Sequence, residues 1–182
     1  SDVYKGKHYG FGVYEKNGYY YIYGTRPDEA AFTAPAHAAR AVLKENRLQQ
    51  WEYFDGTGWS SDAAATQEMK GIDVEVAEQF NVFPHQDKFI LLFHERSISS
   101  NKIYSYISDK PEGPWRNKQL LYEVPETAVE SSIFSYNAMA HPQYDENGRL
   151  LVSYCINTHK MEELYTDASI YKPRFIRIPY DM

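Results

Sequence analysis

The chain has 182 residues, enough for one domain with a sizeable core, a net charge of -6, and 17 tyrosines within an aromatic content of 16%. The acidic balance, with no basic stripe, excludes a nucleic-acid backbone as partner. A single cysteine, Cys155, excludes a disulfide framework and a cysteine zinc site and is expected as a small core residue. No apolar run reaches membrane-spanning length. No signal-peptide pattern stands at Ser1, so an export leader, if one exists, is expected outside this chain.

In chain order the pattern is of short strands and tight turns. A strand from Tyr9 to Tyr14 turns at Lys16-Asn17-Gly18, an Asn-Gly hairpin signal, and returns as Tyr19 to Gly24. Asp28 to Pro35 reads as a loop. Ala38 to Leu43 and Trp51 to Phe54 read as strands, closed by the two-glycine turn Asp55-Gly56-Thr57-Gly58-Trp59. The pattern then restarts. Val74 to Phe83 is a strand, Pro84 to Asp87 a turn, and Lys88 to His94 the return; Lys102 to Ser108 and Lys118 to Tyr122 follow, joined by the turn Asp109 to Trp115. Val124 to Ser132 is a loop. Tyr136 to Pro142 opens a third hairpin through Glu146-Asn147-Gly148, returning as Leu150 to Tyr154, and Tyr171 to Pro179 is a last strand.

Aligned on their hairpins, these segments form blade-like repeats over 8–60, 72–123 and 133–180 of a single all-β domain, 1–182. Spacing of roughly 65 residues suits four-stranded propeller blades with long loops. The third repeat lacks a fourth strand, for which Ser1 to Lys7 is a weak candidate. Three blades do not close a ring of about four to eight. The chain therefore reads as the C-terminal part of a longer, five-bladed propeller, with a blade-pooling dimer or an irregular β-sandwich as alternatives. Open blade edges would favour self-association or completion by N-terminal blades outside the chain.

Four segments carry a family resemblance: Trp51 to Ser60, Ser108 to Trp115, Tyr136 to Pro142, and Tyr171-Lys172-Pro173-Arg174-Phe175. They resemble motifs of a bacterial five-bladed β-propeller family, the domain-of-unknown-function 4185 type or a close sibling, similar to furanoside-cleaving arabinanase propellers. The resemblance implies a glycoside-hydrolase-like protein that meets a polysaccharide or oligosaccharide outside the cytoplasm, extracellular or periplasmic, without a cofactor. It also implies that Glu78 to Val82 and Tyr136 to Pro142 are innermost strands lining a central pocket. Arg40 matches the family's third-strand Ala-Arg pair, and Arg174 its Pro-Arg-Phe.

Glycosidases use two carboxyl groups across the scissile bond. Glu78 is the candidate catalytic residue, since burial near the axis would raise its pKa and suit it to the acid role; an exposed glutamate paired with a cation is the competing reading. Glu75, three residues earlier, falls on the opposite face. Asn137 and His141, four apart and so on one strand face, would bind substrate with Tyr136, Arg40 and Arg174; stitching between strands and an inter-blade salt bridge are the structural alternatives. No second histidine or cysteine stands at ligand spacing, so no metal is expected. Trp59 and Trp115 are expected as plugs between blades or, less simply, as sugar platforms. His85 and His94 receive no role, and Asp62, Asp73 and Asp145 are unconvincing second carboxylates. No Gly-x-Ser-x-Gly elbow or phosphate loop occurs. A carbohydrate- or protein-binding module without turnover is the rival function.

Overall fold

The computed structural model describes residues 3–4, 7–26, 34–97 and 100–180. The first sheet holds β1 (Val3–Tyr4), β2 (Lys7–Lys16), β3 (Tyr19–Thr25), β4 (Ala36–Lys44), β5 (Arg47–Phe54) and β6 (Trp59–Ser60), hydrogen-bonded in that order. The second holds β7 (Val76–His85), β8 (Lys88–Glu95), β9 (Lys102–Ser108) and β10 (Arg116–Glu123), and the third holds β11 (Ile133–Ala140), β12 (Arg149–Thr158) and β13 (Arg174–Pro179). Every pairing is antiparallel between sequence neighbours. The sheets meet chiefly through one strand each, β2 packing on β7 and β7 on β11. These are three propeller blades, side by side, with β2, β7 and β11 innermost.

The turns explain the meander. Asn17 and Gly18 take φ of 54° and 80°, and Asn147 and Gly148 take 53° and 70°, the left-handed pair that a tight hairpin requires and that Asn and Gly reach at least cost. Asp55 Oδ1 accepts from the Thr57 and Gly58 amides and from the Thr57 hydroxyl, fixing the β5–β6 turn.

Packing lies between the blades. The strand Phe89-Ile90-Leu91-Leu92-Phe93 is buried on both faces, which is why it reads as an unbroken apolar run. Phe89, Leu91 and Phe93 meet the first blade with Tyr21, Tyr23, Phe80, Tyr106 and Trp115. Ile90 and Leu92 meet the third with Ile103, Leu150, Val152, Ile156 and Ile178. Trp115 is the expected inter-blade plug, at 3% exposure. Trp59 stands half-buried, edge-on to Tyr21 and Phe54.

Several expectations change. The second hairpin turns only at Gln86-Asp87, because β7 runs through Pro84 and His85; Pro84 lacks an amide hydrogen but stands on the innermost strand of its sheet, where that loss breaks no ladder. The 124–132 connection contains a short helix, α1 (Glu126–Val129), and a second, α2 (Met161–Thr166), precedes β13. Val3–Tyr4 pairs with β2 of its own blade rather than supplying a fourth strand to the third; Ser1, Asp2, Lys5, Gly6 and residues 28–33 of the expected loop lie outside the described residues. Cys155 is half-buried rather than a core residue.

Candidate functional site

Each innermost strand carries a β-bulge at the same level. In β2 the register jumps between Tyr9, opposite Gly24, and Gly12, opposite Tyr23, leaving Gly10 and Phe11 unpaired. In β7 it jumps between Val76, opposite Glu95, and Phe80, opposite Phe93, across Ala77-Glu78-Gln79. In β11 it jumps between Tyr136, opposite Cys155, and Met139, opposite Ser153. Bulges interrupt the ladder and re-aim side chains, and they gather at rims and functional sites. Gly10 at φ 104° and Asn137 at φ 56° hold the left-handed conformations that two of these bulges need.

Glu78 sits inside the middle bulge and, contrary to expectation, is exposed, as is Gln79. Among the described residues its carboxylate makes no ion pair or hydrogen bond, so the reading of a glutamate neutralised by a cation is not met either. The bulge lets the strand surface a side chain that a regular β7 would have turned against a neighbouring blade.

Asn137 is half-buried within the third bulge. The expected shared face with His141 does not follow, because the register jump breaks simple alternation and His141 stands one residue beyond the end of β11. His141 Nε2 lies 2.8 Å from Ser153 Oγ and its ring lies 6.0 Å from that of Phe175, on the side of the third blade away from the second. Tyr136 opposes Cys155 and neighbours Phe134, with ring centroids 5.9 Å apart; partial burial raises its hydroxyl pKa.

Neither arginine joins this group. Arg40 lies on β4, two strands out from β2. Its Nε pairs with Glu52 Oε2 at 2.6 Å, and its guanidinium stacks over Tyr19 at 4.3 Å and Trp59 at 4.6 Å. Arg174 opens β13 and pairs with Glu126 Oε1 at 2.7 Å, a carboxylate that also accepts from the Tyr154 hydroxyl at 3.1 Å. Both guanidinium groups brace blades. Glu75 accepts from the Ala34 amide at 2.5 Å.

Three residues escaped the sequence reading. Asn81 bonds to the backbone of Ala140 through both ends of its amide, joining β7 to β11. His94, given no role, is 2% exposed and joins the second and third blades: Nδ1 donates to the Glu95 carbonyl at 2.8 Å and Nε2 accepts from the Ser135 hydroxyl at 2.7 Å. Burial lowers its pKa and keeps it neutral. Among the described residues His37 bonds through Nδ1 to the Gln67 carbonyl at 3.0 Å and leaves Nε2 buried without a partner, and burial pushes its pKa down to about 4. No sequence signal marks these partners, which lie far apart along the chain.

A cleft of about 470 Å³ lies at the start of β7, lined by residues 34–36 and 68–76. On its wall, Asp73 takes the Tyr106 hydroxyl and the Lys118 ammonium, the latter at 2.9 Å. Among the described residues no group of three or more His, Cys, Asp or Glu could hold a metal ion, and no helix is long and apolar enough to cross a membrane.

A family model, "Domain of unknown function (DUF5005)", matches residues 1–180. The chain belongs to the DUF5005 family. This corrects the domain-of-unknown-function 4185 resemblance, and nothing among the comparisons supports an arabinanase in particular. No curated protein matches the chain. A solved structure from Bacteroides ovatus, provisionally described as a hydrolase, superposes on 94% of this DUF5005 chain with a TM-score of 0.76 at 19% identity; the match takes in 45% of that chain. Fainter likenesses, each with a TM-score of 0.49, are the RS223 β-xylosidase (18% identity, 81% of this chain and 44% of that one) and a thermostable family-43 glycoside hydrolase (15%, 96% and 55%). The DUF5005 chain thus spans about half the length of the structures it matches. At these identities the likeness extends to the fold.

Proposed function

We propose that this DUF5005 chain is part of a glycoside-hydrolase-like propeller that meets an oligosaccharide or polysaccharide at the bulged centre of its innermost strands. Glu78 serves as the acid/base carboxylate and Asn137 offers a polar contact beside it, while Tyr136 and His141 would meet a glycan that extends across the third blade. The observation that carries the reading is the alignment of three bulges with an exposed, unpaired glutamate in the middle one. A carbohydrate needs such a surface, where carboxylate, amide and ring faces stand together and hydroxyl groups can be recognised without burying a bare charge. Furanoside-containing glycans are the first substrates to try, beside xylans, and an extracellular or periplasmic setting is the expected one. Open blade faces would be completed by further blades or by self-association.

One observation favours a binding module instead. The innermost strands contain only one other carboxylate, Glu15, which sits at the hairpin end and accepts from the Gly18 amide at 2.9 Å. A two-carboxylate mechanism would draw its second group from outside this chain. The Glu78→Gln variant separates the two readings. Assayed in the longest available form of the protein against arabinans, xylans and their oligosaccharides, it should lose hydrolysis at least a hundredfold while retaining affinity. Binding without turnover, unchanged by the substitution, would establish the binding module, and unchanged hydrolysis would remove Glu78 from the chemistry.

A further inference from the structure

Gly12 and Asn81 occupy matching places: each stands four residues before the end of its innermost strand, at Lys16 and His85, and faces the next blade. At the first place a glycine lets the backbones close directly, since a Cβ on Gly12 would lie 2.8 Å from the Phe80 carbonyl oxygen. At the second the backbones stay apart and the Asn81 side chain spans the gap. Its Nδ2 donates to the Ala140 carbonyl at 3.0 Å, and its Oδ1 accepts from the Ala140 amide at 3.2 Å. A carboxamide presents the same donor and acceptor as a peptide group, so Asn81 supplies the rung that two strands of one sheet would form for themselves. Ala140 otherwise lies at the open edge of β11, where its amide and carbonyl would need water.

We propose that Asn81 is a positioning residue: its amide fixes the separation and register of β7 and β11, and so the placing of Glu78 and Gln79 against Asn137. Asn81 stands one residue after the register of β7 resumes at Phe80, and Ala140 stands one residue after the register of β11 resumes at Met139. The two bulges are therefore held from the same side by one side chain. The functional meaning rests on the carbohydrate reading above; the geometric claim does not.

The test measures both. Spin labels are placed at Gln79 and Asn137 in a Cys155→Ser background, and their separation is read by pulsed electron resonance with Asn81 intact, Asn81→Asp, Asn81→Ala, and Ser135→Ala as a control elsewhere in the same blade interface. Asn81→Ala should lengthen or broaden the separation by about 2 Å as water replaces the amide rung. Asn81→Asp keeps the acceptor for the Ala140 amide but sets a carboxylate against the carbonyl, and should fall between Ala and the parent; it decides the matter if the alanine variant fails to fold. Ser135→Ala should lower the melting temperature without moving the labels. An unchanged separation in Asn81→Asp and Asn81→Ala overturns the proposal. Titration of the unlabelled variants with oligosaccharides then tests the functional part: a tenfold or larger loss of affinity in Asn81→Ala with less than twofold in Ser135→Ala supports it. Equal losses in the two variants overturn that part. A parent protein that binds no sugar defeats the carbohydrate reading and leaves the geometric result standing.

Discussion

The two blade interfaces solve one packing problem with different chemistry. Between the first and second blades the contact is chiefly aromatic, Tyr23 meeting Phe80 with ring centroids 6.2 Å apart and Tyr14 standing edge-on to Phe89, with one directional tie, the Tyr23 hydroxyl donating to the Pro111 carbonyl at 2.9 Å. The innermost backbones touch at Gly12. Between the second and third the core is largely aliphatic, and polar side chains add three bridges, Asn81 to Ala140, His94 to Ser135 and Ser105 to Tyr180. The first interface is mostly ring against ring, anchored by that one buried hydroxyl. The second carries more such ties, and the Asn81 amide is the one set beside the bulges of Glu78 and Asn137. The central sheet thus presents a chiefly aromatic face to one neighbour and an aliphatic face with several polar bridges to the other.

Truncations should expose the division. Phe80→Ala, in the aromatic interface, should cost about 3–5 kcal/mol and Leu92→Ala, in the aliphatic one, about 2–5 kcal/mol, each combining lost transfer energy with a cavity; denaturant unfolding with an unchanged m-value reads both. Equal, small losses at both would show that the blades are not held by these cores. Ser135→Ala should cost less, about 1–3 kcal/mol, because it leaves the His94 Nε2 acceptor buried and unpaired. A loss indistinguishable from that of an exposed serine would mean that water serves His94 as well as Ser135 does.

Acid gives the smallest and most specific effect. His37 and His94 have folded pKa values below the unfolded value of about 6.5, His37 at about 4. The unfolded chain therefore binds more protons between those limits, and stability present above about pH 6.5 is lost as pH falls toward 4, by roughly 3 kcal/mol for His37. Glu112, whose carboxyl is raised by burial, acts in the opposite direction. Melting temperatures at pH 7.5 and 5 should fall toward acid, with a gentler slope in His37→Gln, where the amide can still donate to Gln67. An identical slope in the variant would show that His37 is protonated without cost.

The hairpins were legible because their turns are chemical. Asn17-Gly18 and Asn147-Gly148 announce left-handed backbone, and the apolar run Phe89 to Phe93 announces a strand covered on both faces. The bulges were not legible, and the site reading failed where they intervene: Glu78 was expected buried and Asn137 and His141 on one face, since alternation is all that a one-dimensional pattern offers. Arg40 and Arg174 matched motifs, yet their partners Glu52, Trp59 and Glu126 are set by strand pairing and blade packing. Asn81 gave no signal because its partner is a backbone 59 residues away.

The most direct test of the account is a titration of the isotope-labelled protein with arabino- and xylo-oligosaccharides, followed amide by amide. The account predicts that the largest shifts fall at the three bulges, on Gly10 and Phe11, Ala77 to Gln79, and Tyr136 to Ala138. Shifts confined to the cleft of residues 34–36 and 68–76, or no shifts with any sugar, would contradict it.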